Sequence, residues 1–97
     1  MKPNLNPDPH SLLPRLNAEL AAALGLDPAE IQPQSKLVDD LGAESIDLID
    51  LTFRIEKTFG ITVPEGELFE DPKHPARLLT VADVAAYIAA KLGPPGV

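Results

Sequence analysis

The run from Ser45 to Phe59, closed by Gly60, carries apolar side chains in two helical registers at once. Leu48, Leu51, Ile55 and Phe59 recur at i, i+3, i+7 and i+11, while Ile46, Ile49 and Phe53 recur at i, i+3 and i+7. A period of 3.6 residues gathers each set into its own stripe. The segment therefore reads as a helix with one face for a core and a second apolar face to dispose of. Either neighbouring helices cover that second face, or part of it docks a partner.

The flanking segments are helical in pattern as well. Leu13, Leu16, Leu20, Ala23 and Leu24 fall at three- and four-residue intervals and predict a helix over 11–24. Ser11 is its expected cap, Pro14 its first-turn proline, and Gly25 its stop. Residues 26–44 form a long connection broken by Pro28 and Pro33 and anchored by Ile31, Leu37, Val38 and Leu41; Asp27 to Glu30 predict a single helical turn inside it. Beyond an extended link at 61–64, residues 65–70 predict a short third helix, ended before Pro72 and Pro75. The last helix starts after Thr80, with Asp83 at the capping-box position, and its core stripe is Val81, Val84, Ala85, Ile88 and Leu92. There is no internal repeat and no convincing alternating pattern. The expected fold is all-α, a four-helix bundle of three main helices and one short third helix, with a long first loop. Residues 1–10 read as a flexible leader, 11–92 as the domain and 93–97 as a flexible tail.

Composition narrows the function. A chain of 97 residues buries about 60–65% of its unfolded surface, enough for one modest core but not a deep enzyme cleft. Fifteen acidic against eight basic residues give a net charge of −7, which argues against nucleic acid or an anionic membrane and for basic protein surfaces as partners. No cysteine is present and histidine occurs only at His10 and His74, so thiolate chemistry is excluded and a zinc site is not expected. No apolar run reaches membrane-spanning length and the first residues lack a signal-peptide core; a cytoplasmic address is expected.

One serine stands where the glycine-bearing turn meets the central helix, in Asp39-Asp40-Leu41-Gly42-Ala43-Glu44-Ser45-Ile46-Asp47. A hydroxyl at a helix start is exposed, and the unpaired amides and positive dipole end there favour a phosphate ester by about 0.3–1 kcal/mol. Asp39, Asp40, Glu44, Asp47 and Asp50 surround it without an intervening basic residue, a cluster costly in self-repulsion unless a basic partner uses it. A serine before an apolar helical run is also an ordinary N-cap, and an acidic first turn ordinary dipole complementation. Taken alone, the serine does not decide between these. As a hydrolase nucleophile it lacks a Gly-x-Ser-x-Gly elbow and a histidine in a base-supplying motif.

The wider context does decide. Leu24-Gly25-Leu26, Ile31, Ser35, Val38, Asp40-Leu41-Gly42-Ala43, Ser45, Asp47, Phe59-Gly60-Ile61 and Pro64, followed by Thr80-Val81, Val84 and Tyr87-Ile88, resemble acyl carrier proteins in order and over most of residues 11–92. The resemblance implies a four-helix carrier bundle with no catalytic activity. Ser45 would receive 4′-phosphopantetheine from a phosphopantetheinyl transferase, and the thiol of that arm would hold acyl groups as thioesters. It also implies that Ile46 and Phe53 offer apolar contacts beside the serine, with core burial the alternative for Phe53. Glu44, Asp47, Asp50 and Glu56 would meet the basic docking patches of acyl ligases, synthases or acyltransferases. Leu51, Ile55 and Ile61 would line an acyl site between the second and third helices. The carrier would act as a monomer without membrane insertion, in fatty-acid, polyketide or a specialised acyl pathway.

Three departures from the family pattern stand out. Glu44 replaces the usual aspartate and Ile46 the usual leucine. Residues 65–79, with Phe69, Pro72, His74, Pro75 and Arg77, are several residues longer than the matching link of typical fatty-acid carriers. That extension is either a tolerated surface insertion or an element that shifts the acyl site or distinguishes partners; it favours a specialised pathway. Competing readings are a peptidyl or aminoacyl carrier and an unmodified helical protein–protein adaptor, the latter expected to bury Ser45.

Overall fold

The computed structural model describes residues 9–64, 66–70, 73 and 75–92. Its order is α1 (Pro9–Leu24), a 3-10 turn (Pro28–Glu30), α2 (Ser45–Phe59), a second 3-10 turn (Ala76–Leu78) and α3 (Val81–Leu92). Among the described residues there is no strand, only an isolated antiparallel bridge between Lys36 and Thr80. The all-α expectation holds.

Several local expectations hold for the reasons that prompted them. α2 spans Ser45–Phe59 and ends at Gly60, whose φ of 68° is the left-handed geometry of a helix C-cap. Asp27 caps the first 3-10 turn: its carboxylate accepts from Ala29 N–H at 2.9 Å, and Glu30 accepts from Asp27 N–H at 3.0 Å. Thr80 and Asp83 form the reciprocal capping box of α3, at 3.1 and 3.0 Å.

Three expectations need correction. α1 begins at Pro9, so Ser11 is not its cap and Pro14 lies inside the helix. Proline suits the first helical position because its missing amide donor is not needed there, and Pro9 extends the helix into the segment read as leader; residues 1–8 lie outside the described residues. Residues 66–70 form turns and bends, not a third helix. Gly66, at φ +81°, leaves the helical region just after Pro64, and the short element falls later, at Ala76–Leu78, behind Pro75. Leu92 is exposed and leaves the core stripe of α3. Asp71, Pro72, His74 and residues 93–97 lie outside the described residues.

α1 is the spine. It packs against both α2 and α3, contributing fully buried Leu16 and Leu20 to a core shared with Leu51 and Ile55 of α2 and Val81, Val84 and Ile88 of α3. Between α2 and α3 the connecting segments fill the space, with Val63, Leu68 and Leu79 buried. The long first loop is tied down, not floppy. Leu37 is fully buried and its amide donates to the Leu79 carbonyl at 3.0 Å. The first amides of α3, at Val81 and Ala82, donate to the carbonyls of Ser35 and Pro33 at 2.9 and 2.8 Å. One loop thus satisfies donors that a helix start cannot satisfy alone.

Candidate functional site

The loop that delivers Ser45 is a tight turn. The amides of Asp40 and Leu41 donate to the Lys36 carbonyl at 3.0 Å, Gly42 N–H donates to Val38 at 3.0 Å, and the Asp40 carboxylate accepts from Lys36 N–H at 2.8 Å. Gly42 leaves this turn at φ +74°. A Cβ there would meet no atom within 4 Å, so glycine is needed for backbone conformation and not for space. Ala43 then buries its methyl in the core, and the chain enters α2.

Glu44, not Ser45, occupies the N-cap position. The Asp47 carboxylate reaches back to Glu44 N–H at 2.9 Å. Ser45 is the first helical residue and exposed, and among the described residues nothing hydrogen-bonds its hydroxyl. The cap reading of this serine is therefore set aside. Its Oγ stands free in water at a helix end, where the amides of the first turn have no acceptor within the helix and the dipole is positive.

The second apolar stripe of α2 is open. Ile46, Ile49 and Phe53 are 71%, 56% and 64% exposed, so Phe53 is not a core residue. The acidic residues beside them differ in their commitments. Glu44 is exposed. Asp50 is paired with Arg54 at 2.8 Å, and Arg54 also reaches Glu19 of α1 at 3.4 Å. The hydrogen bond that Arg54 donates to Asp50 holds the guanidinium above its ordinary pKa. Glu56 is half-buried, and its carboxylate accepts from Val63 N–H at 2.8 Å, fastening the post-helix link to α2. Of the acidic residues expected along α2, Asp47, Asp50 and Glu56 are each already engaged within the chain.

A groove runs from Ser45 along α2. Ser45, Ile49, Thr52 and Glu56, spaced i, i+4, i+7 and i+11, form its helical floor. Its far wall is the link after α2, contributed by Val63, Pro64, Leu68 and Phe69. It divides into two hollows of about 350 and 320 Å³ that share Ile49, Thr52, Phe69 and Glu70. The residues expected to line an acyl site are not those that line this groove: Leu51 and Ile55 are sealed in the core, and Ile61 lies off the groove. They sit on the core stripe, whereas the groove follows the stripe that starts at the serine. That i, i+4, i+7, i+11 series was readable in the sequence.

The link is pinned on its other side as well. Glu67 accepts from the Tyr87 hydroxyl and pairs with Lys91 at 2.6 Å, both on α3. Lys91, and then Tyr87, hold the Glu67 carboxyl below its ordinary pKa. Burial, followed by Glu67, pushes the Tyr87 phenol up. Among the described residues no cluster of metal-ligating side chains occurs, and no helix is long and apolar enough to cross a membrane.

Residues 14–88 match the family of the phosphopantetheine attachment site. The chain belongs to the acyl carrier proteins. It is 35% identical over 79 residues to an acyl carrier protein of Thermotoga maritima, covering 81% of this chain and 89% of that one. It is 33% identical over 78 residues to an acyl carrier protein of Bdellovibrio bacteriovorus, covering 80% and 91%. Carriers of this family hold 4′-phosphopantetheine, and carrying is accordingly the function of this chain.

Proposed function

We propose that Ser45 is the attachment residue and that the chain presents acyl groups from there to partner enzymes. The observation that carries this reading is the division of labour at the start of α2. Asp47 caps the helix through Glu44 N–H, which leaves the Ser45 hydroxyl exposed and without a structural task. The group fits what is present: a phosphodiester on Oγ lies at the positive end of α2, next to first-turn amides that need acceptors. When bound, the arm supplies a thiol, the nucleophile this cysteine-free chain lacks, and holds cargo as a thioester.

The chain's own residues bind, orient and shelter. Glu44, Asp47, Asp50 and Glu56 offer charge to the basic patches of a phosphopantetheinyl transferase and of acyl ligases, synthases or acyltransferases. Ile46 and Phe53 give those contacts an apolar centre, in keeping with the anatomy of protein interfaces. The chemistry of acyl transfer belongs to the partners. The work is that of a cytoplasmic monomer in acyl metabolism, with the longer link at 65–79 favouring a specialised pathway over general fatty-acid synthesis.

The test is intact mass after incubation with coenzyme A, magnesium and a broad-specificity phosphopantetheinyl transferase. The expected result is a gain of one phosphopantetheine in the wild type and none in Ser45→Ala. A folded wild type that gains nothing, or a Ser45→Ala variant that gains the same mass, refutes the assignment.

A further inference from the structure

Beyond Ser45, whose hydroxyl the arm takes up, the polar side chains along the groove share one property: they accept hydrogen bonds and have none to give. Thr52 is a donor in principle, but its hydroxyl hydrogen is used on the Leu48 carbonyl at 2.9 Å, leaving only lone pairs toward the groove. Glu56 and Glu70 are carboxylates, and one oxygen of Glu56 is held by Val63 N–H. Among the described lining residues there is no lysine, arginine or histidine. The remaining walls are apolar, chiefly Ile49, Val63 and Phe69. At about 350 and 320 Å³ the hollows sit at the small end of ligand pockets.

We infer that this groove selects a short acyl cargo bearing a hydrogen-bond donor, a hydroxyl or an ammonium, over one that ends in a carboxylate. The inference rests on the carrier reading of Ser45 and adds the chemistry of what is carried. A donor on the cargo finds half-buried Thr52 Oγ1 or Glu56, or exposed Glu70, and its carbon chain lies against Ile49, Val63 and Phe69. A terminal carboxylate brings a fourth acceptor and a like charge beside Glu56 and Glu70, with no cation among the described lining residues to offset it. A plain hydrocarbon gains the walls alone.

The test uses the full chain, loaded at Ser45 with four-carbon arms from coenzyme A analogues whose thioester sulfur is replaced by nitrogen, so that no arm hydrolyses. The arms are butanoyl, 3-hydroxybutanoyl, 3-aminobutanoyl and succinyl. Loading is read by intact mass, and docking by backbone amide shifts at Thr52, Glu56 and Phe69. Relative to butanoyl, the hydroxyl and ammonium arms are expected to raise the docked-to-undocked ratio about fivefold, the worth of one net hydrogen bond. The succinyl arm should leave these amides where the unacylated arm leaves them. Thr52→Val, which keeps the branched shape and loses the acceptor, should bring 3-hydroxybutanoyl down toward butanoyl. Shifts for the ammonium arm alone support the inference with charge as the selecting feature. Succinyl shifts as large as those of the hydroxyl arm overturn it, as does equal docking of butanoyl and both donor arms. A chain that loads none of the four overturns both this inference and the carrier reading of Ser45, an outcome the mass measurement separates from the others.

Discussion

Truncating Phe53 and Ile55, two residues apart on α2, separates what that helix does for the fold from what it offers outside. Phe53 is 64% exposed, so about a third of its surface is covered. Full burial of a phenylalanine is worth about 1.5–3 kcal/mol, and Phe53→Ala is therefore expected to cost about 0.5–1 kcal/mol. Ile55 has no exposed surface; Ile55→Val should cost about 0.5–1.5 and Ile55→Ala about 2–5 kcal/mol, because the cavity adds to the lost transfer energy. Urea denaturation resolves these values. With a slope near 1 kcal/mol per molar, the midpoint drops by less than about 1 M for Phe53→Ala and by about 2 M or more for Ile55→Ala. The folded Phe53→Ala protein should also be a poor substrate for the phosphopantetheinyl transferase. Loss of an aromatic anchor of about 2 kcal/mol lowers kcat/KM about 30-fold. A midpoint drop for Phe53→Ala that equals that of Ile55→Ala would show that the ring holds the fold together. An unchanged kcat/KM would show that the second stripe is no docking face for that enzyme.

Gly42→Ala should cost roughly 1–2 kcal/mol in urea titration, all of it from a φ of +74° since no atom obstructs the Cβ; Gly42→Asn should cost less. Thr80→Ala removes one arm of the α3 capping box and should lower stability by about 0.5–2 kcal/mol. Glu67 ties its carboxylate to Lys91 and Tyr87, and its pKa lies below the ordinary 4.5. Its contribution is thus present above that value and lost as pH falls through the lower folded value. The acid limb of stability measured against pH should flatten in Glu67→Gln. Tyr87, the chain's single tyrosine, has its phenol held up by burial and by Glu67. Ultraviolet titration should find it still protonated beyond the ordinary tyrosine range, and that stabilisation is present below the ordinary value and lost as pH rises through the folded one.

Much of this was legible from short-range signals. The bounds of α2, the Gly60 cap, the turn at Asp27 and the Thr80–Asp83 box are each set by residues within four positions of one another, and local chemistry announces them. The start of α1 was not read, because Pro9 in a polar, proline-broken stretch looks like a terminus until the helix behind it is seen to need a first residue. The helix expected at 65–70 gave way to a turn at Gly66. What holds that segment in place is remote: Glu56 with Val63, and Glu67 with Tyr87 and Lys91 on a helix twenty residues later. No periodicity encodes such pairs. At the site, Ser45 and its acidic surroundings are evident from sequence, but the groove follows the mixed series Ser45, Ile49, Thr52 and Glu56, which no run of apolar residues marks.

The arrangement of the helices also sets how the molecule breathes. Since α1 holds α2 and α3 separately and a fastened link closes the space between them, that link can detach as a small cooperative unit while both helix contacts with α1 persist. Native-state hydrogen exchange should then show a ladder. Residues 66–70 exchange through openings far cheaper than global unfolding, and the amides around Leu16, Leu20 and Ile55 exchange only when the whole chain comes apart. Such a ladder would show that the link, though fastened to α2 and α3, opens without disturbing the contacts that α1 makes with either helix.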